Sequence, residues 1–99
     1  MNIATKIKEV LDDGNPYTVG EIWQLVNGAK ISKELISISD QSNRLRKIVG
    51  NDFIGRTQLE RSVRGLAIRG SINETDYSPK IFVGDKTYLL STPISYYHK

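Results

Sequence analysis

Ninety-nine residues suffice for one domain with its own core, and the absence of cysteine excludes disulfides, thiol catalysis and thiolate metal sites. No apolar run approaches the roughly 20 residues that span a bilayer, and residues 1–6 lack the apolar stretch of a signal peptide, so a cytoplasmic protein with no membrane partner is expected. The net charge of +3 is unevenly spread: residues 1–40 carry −2, residues 41–70 carry +5 with all six arginines, and residues 71–99 balance. Segregated positive charge is what a phosphate-binding surface requires, and arginine suits bidentate contacts better than lysine. The plain alternative is a solvated basic helix face with no ligand.

The first predicted element is a helix over residues 3–13. Ile3, Ile7, Val10 and Leu11 fall at i, i+4, i+7 and i+8, and Gly14 with Asn15-Pro16 stops it. A second helix is predicted over residues 18–27. Thr18 and Glu21 have capping-box spacing, Val19, Ile22, Trp23 and Val26 form an apolar stripe, and Asn27-Gly28 ends it. Trp23 is expected in the core. Residues 29–39 show no decisive period. A third helix is expected over residues 39–49, with Leu45, Ile48 and Val49 inward and Gly50 as the stop.

The fourth helix, residues 57–69, has the clearest pattern. Thr57 and Glu60 have capping-box spacing, and Leu59, Val63, Leu66 and Ala67 form the inward stripe. Gly65 sits opposite and costs about 1 kcal/mol of helix propensity relative to alanine. Gly70 ends the helix. The period then changes to alternation. Residues 71–74 are a strand candidate, and two β-prone runs around Gly84-Asp85 read as a hairpin, so the hairpin region spans about 71–90. Residues 91–99 are expected to be a tail without a clear period.

The periodic helix at Leu59, Val63 and Leu66, the exit Arg69-Gly70-Ser71-Ile72 and the return run Lys86-Thr87-Tyr88-Leu89-Leu90 resemble the second half of a winged helix-turn-helix DNA-binding domain. Tyr17-Thr18 would supply its short first strand. The resemblance is topological, covers most of the chain and names no subfamily. It implies an α+β fold that is winged helix-like, with three to four helices followed by a C-terminal β-hairpin wing, in a single domain over residues 1–99. It also implies double-stranded DNA as partner and a small transcriptional regulator as function, with the helix before the wing in the major groove. Four helical candidates precede the hairpin where the simple pattern has three. Either residues 39–49 are an inserted helix, or they are the reading helix and residues 57–69 pack behind it.

On the first assignment the nucleic-acid contacts are Arg56, Thr57, Gln58, Arg61, Ser62, Arg64 and Arg69 from the fourth helix, with Lys80 and Lys86 from the wing. Arginine can take guanine O6 and N7 together, and glutamine can take adenine N6 and N7. Arg64, Arg69 and the wing lysines would serve phosphates. On the second assignment the contacts are Asn43, Arg44, Arg46 and Lys47.

No enzyme, cofactor or metal is expected. The only histidine, His98, stands at the chain's end with no nucleophile–acid set around it, and Asp12-Asp13 has no further ligand nearby in sequence. The competing function is a winged-helix protein-interaction module, such as an accessory subunit or inhibitor of a nucleic-acid enzyme. Tyr96, Tyr97, Ile81, Phe82 and Val83 would then contact a protein partner or a second copy. RNA binding ranks last, because the aromatic signature of a ribonucleoprotein sheet is missing.

Overall fold

The computed structural model describes residues 2–32, 34–77, 80–89 and 93–99, and of residues 80–82 and 87–89 the backbone alone. The elements in chain order are α1 (Ile3–Val10), a single 3-10 turn (Leu11–Asp13), α2 (Val19–Val26), α3 (Ile38–Val49), a second 3-10 turn (Gly50–Asp52), α4 (Arg56–Ile68), β1 (Asn73–Tyr77), β2 (Lys80–Val83), β3 (Lys86–Leu89) and β4 (Ile94–His98). This is an α+β fold with four helices followed by a C-terminal antiparallel hairpin, a winged-helix-like layout. Among the described residues no helix is long and apolar enough to cross a membrane.

Helices α1, α2 and α4 pack on one another around Ile7, Leu11, Ile22, Trp23, Leu59, Val63 and Leu66, all buried. Full burial of such side chains stabilises by about 1.5–3 kcal/mol each. Local chemistry starts and stops the helices. Asn2 Oδ1 accepts from Thr5 N at 2.8 Å to cap α1, and the chain leaves the following turn through Gly14 at φ +78°. The capping box of α2 is complete: Glu21 N donates to Thr18 Oγ1 and Thr18 N donates to Glu21 Oε1.

Helix α3 adds a narrow contact to this core. Its only buried residue is Leu45, and Ser37 caps it by accepting from Asp40 N at 3.1 Å. Ile48, expected inward, is 58% exposed. A helix that packs over so narrow a stripe buries Leu45 and leaves its flanks in solvent. Four helices precede the hairpin, and of these α4 leads into the sheet.

Two ladders are nested. β1 pairs with β4, Asn73 opposite His98 and Tyr77 opposite Ile94, and β2 pairs with β3, Lys80 opposite Leu89 and Val83 opposite Lys86. Gly84, at φ +64°, opens the two-residue turn between β2 and β3, the position at which a type II′ turn requires glycine. Tyr17 makes a two-bond bridge to Tyr97, N to O at 2.9 Å and 2.7 Å, so a one-residue first strand does exist and β4 lies between it and β1.

The expected tail is therefore a strand, and the hairpin region extends past residue 90 to include it. The alternation of β4 is hard to see because both of its faces carry apolar bulk. Tyr97 points into the core, where it is 3% exposed, while Ile94 and Tyr96 point the other way. The strand predicted over residues 71–74 begins later, at Asn73, because Ile72 is drawn into the core before pairing starts.

Candidate nucleic-acid interface

The start of α4 is held through the backbone of one residue, Ile54. Ile54 O accepts from the Trp23 indole Nε1 at 2.8 Å and from Asn27 Nδ2 at 3.1 Å, while Ile54 N donates to Asn27 Oδ1 at 2.9 Å. Asn27 Nδ2 also donates to Trp23 O at 2.9 Å. The amide of Asn27, 1% exposed, thus pairs with the Ile54 backbone on both sides and ties the end of α2 to the entry of α4. Buried polar groups must be paired, so this arrangement fixes the angle between the two helices tightly.

From that anchor α4 begins at Arg56, one residue before the expected start. Gly55 is its N-cap, with no side-chain cap, and Leu59 N donates to Gly55 O at 3.0 Å. The predicted capping box at Thr57 is therefore absent. Both of its residues lie inside the helix, and Glu60 pairs instead with Arg64 at 3.0 Å, one turn on. At its other end Ser71 N donates to Leu66 O and Gly70 N to Ala67 O, a Schellman termination with Gly70 at φ +77°. The helix passes directly into β1 and the hairpin.

The outward face of α4 is set by the burial of Leu59, Val63 and Leu66 on the opposite side. It presents Thr57, Gln58, Arg61, Arg64, Ile68 and Arg69 exposed, with Ser62 and Gly65 half-buried. Thr57, Arg61, Arg64 and Ile68 follow one another at helical spacing along a single line. Arg61 and Arg69 make no ion pair among the described residues, and the Arg64–Glu60 pair is exposed and exchangeable.

Arg56 lies differently. Its guanidinium packs over the Trp23 ring at 5.5 Å, and its Nε is buried without a hydrogen-bond partner. On α3, Arg46 covers the Phe53 ring at 4.9 Å, and Phe53 meets Trp23 edge-on at 6.4 Å. Arg46, Phe53, Trp23 and Arg56 form one series of contacts from α3 through α2 to α4. Arg44 pairs with Glu34 at 2.8 Å, leaving Asn43, Arg46 and Lys47 as the exposed α3 candidates outside any ion pair among the described residues, with Arg46 laid on the Phe53 ring. On the hairpin, Lys86 is exposed beside the turn, and the side chain of Lys80 lies outside the described residues, as do those of Ile81 and Phe82.

The β1–β4 ladder has two unlike faces. On the inner one Tyr97 Oη donates to Glu74 Oε1 at 3.1 Å, and Ser95 Oγ donates to Asp76 Oδ1 at 2.7 Å. Burial first, then the Glu74 carboxylate, pushes the Tyr97 phenol above its ordinary value. On the outer face Thr75, Tyr77, Tyr96 and His98, with Gly14 and Pro16, line an open hollow of about 550 Å³. Tyr17, which packs against the core, donates to Asp13 Oδ2. That bond raises the phenol and lowers the carboxyl. Among the described residues no three His, Asp or Glu side chains converge as a metal site would require.

Two site features escaped the sequence reading. Asn27 was legible only as a helix stop, because nothing local marks a buried amide that pairs with a residue 27 positions away. Ile68 falls outside the apolar stripe of α4, a departure from the period that does mark it. Comparison with family models, curated proteins and solved structures finds no match to this chain.

Proposed function

We propose that the chain binds double-stranded DNA and acts as a small transcriptional regulator in the cytoplasm, with α4 in the major groove and the hairpin against the backbone. The observation that carries this reading is the outward face of α4, where Thr57, Gln58, Arg61 and Arg64 line up in solvent on a helix that a buried amide clamp holds rigidly. Arg61 and Gln58 are suited to base edges, and each good bidentate pair discriminates by about 1–3 kcal/mol. Arg64, Arg69 and Lys86 serve phosphates. Arg46 and Arg56 contribute positive potential while packed on aromatic rings.

The test is fluorescence anisotropy with random-sequence duplex at several salt concentrations. Each phosphate contact contributes a slope of about −0.9 in log affinity against log salt. Arg61→Ala weakens binding and relaxes sequence preference, while Arg64→Ala weakens it for all sequences and flattens the slope. Unchanged binding in both variants removes the assignment.

A second reading is a protein-interaction module, and one observation favours it. The outer face of the β1–β4 ladder brings exposed Tyr77 and Ile94 together with half-buried Tyr96. Tyr97, expected alongside Tyr96 as a contact, is in the core and cannot serve. A Tyr77→Ser variant that loses a partner and keeps duplex affinity would support this reading over DNA binding.

A further inference from the structure

We infer that Gly65 and Ile68 form the point of closest approach between α4 and the duplex: Gly65 lets the helix backbone sit against the groove, and Ile68 packs on a thymine methyl group. The inference rests on the reading of α4 as the groove helix and adds residues to it that carry no charge and no hydrogen-bonding side chain.

Gly65 stands in the second half of a 13-residue helix, where glycine is the poorest former after proline. The molecule itself gives no reason for it. Its φ is not positive, unlike those of Gly14, Gly28, Gly50, Gly70 and Gly84. A Cβ built there would meet only Arg69 Nη1 at 3.5 Å, an ordinary contact with the far end of a flexible side chain. An alanine would fit, and the helix would be stronger. What glycine supplies at a half-buried, outward position is a bare stretch of backbone that another molecule can touch closely.

Ile68 lies one turn further along the same face and is 86% exposed, so it contributes almost nothing to the core. Its neighbours on that face are Arg61, Arg64 and Arg69. A purely phosphate-binding face gains nothing from a branched apolar side chain. The major groove has an apolar group to match it, the C5 methyl of thymine. Arginines around an isoleucine fit a polyanion with methyl groups in its groove, and the local charge argues against an apolar protein surface as the occupant.

The probe is the duplex that wild-type protein enriches from a random-sequence pool, made once with thymine and once with deoxyuridine in its place. Gly65→Ala is expected to raise Tm by roughly 4–8 °C, from the recovered helix propensity, and yet to weaken duplex binding about tenfold. Ile68→Ala is expected to leave Tm unchanged and to weaken binding about fourfold on the thymine duplex, the value of one buried methylene-sized group. On the deoxyuridine duplex wild type and Ile68→Ala should bind alike. Gly65→Ala that binds as wild type overturns the close approach, and equal loss on both duplexes in Ile68→Ala overturns the methyl contact. In either case a weakened Arg61→Ala shows that α4 is still the groove helix. A wild-type chain that enriches no duplex defeats both the inference and the reading beneath it.

Discussion

Replacing Asn27 by alanine removes the clamp that sets α4. Three hydrogen bonds go: Ile54 N to Oδ1, and Nδ2 to the carbonyls of Ile54 and Trp23. The Ile54 carbonyl keeps the Trp23 indole as a donor at 2.8 Å, so the groups left without these partners are the Ile54 N–H and the Trp23 carbonyl. Each orphaned buried group costs about 1–3 kcal/mol, and water entering the small hole left by the amide recovers part of it. A net loss of about 2–4 kcal/mol follows, which is a large share of the roughly 5–15 kcal/mol that stabilises a domain. In a domain of this size that corresponds to a fall in Tm on the order of 10–25 °C. Urea and thermal unfolding of Asn27→Ala measure it, with Thr57→Ala, an exposed position on α4, as a control expected within about 0.5 kcal/mol of wild type. If Asn27→Ala also fell within about 0.5 kcal/mol, the amide clamp would not be what positions α4.

Three further outcomes are expected. Arg56→Met keeps the packing on Trp23 while removing the unpartnered Nε, so stability should change by less than about 1 kcal/mol, and duplex affinity should fall by clearly less than in Arg61→Ala, since only a contribution to the potential is lost. A loss of affinity equal to that of Arg61→Ala would mean that Arg56 swings outward to DNA. In an alkaline titration followed by phenolate absorbance, Tyr17 and Tyr97 should ionise above the ordinary phenol value, and Tyr17→Phe and Tyr97→Phe should each delete part of that late phase. A phenol raised by folding contributes stability below its unfolded value, near 10, and loses it as pH rises through the folded value, so alkaline unfolding should begin in that window. Asp13 has the opposite sign: its lowered carboxyl contributes above the ordinary aspartate value, and the contribution disappears as pH falls through the folded value. Acid unfolding curves of Asp13→Asn against wild type should therefore converge at low pH, and curves that stay parallel would show that Asp13 contributes no such term.

Signals confined to one element were legible in the sequence. The stripe of α1, the capping box of α2, the inward residues of α4, the Gly70 termination and the Gly84-Asp85 turn each depend on residues a few positions apart. Tyr17 as a one-residue strand came from the implied fold order. The features that were hidden depend on distant partners. β4 looked aperiodic because Tyr96 and Tyr97 put bulk on both of its faces, although its β-branched and aromatic content favoured a strand. The α4 start moved to Arg56 because the anchored Ile54 peptide, not a side-chain cap, sets it. The arginines looked equivalent in sequence, yet two of them stack on Phe53 and Trp23 while Arg61 faces solvent. Charge segregation located the basic region, and only packing distinguished its free side chains from its committed ones.

The most direct test of the central claim compares duplex affinity across salt for wild type, Arg61→Ala and Lys47→Ala. Wild type should bind random-sequence duplex with affinity that falls steeply as salt rises, Arg61→Ala should bind markedly more weakly, and Lys47→Ala, on α3, should stay close to wild type. Salt-independent binding, or a loss confined to Lys47→Ala, would contradict the assignment of α4 as the helix that meets DNA.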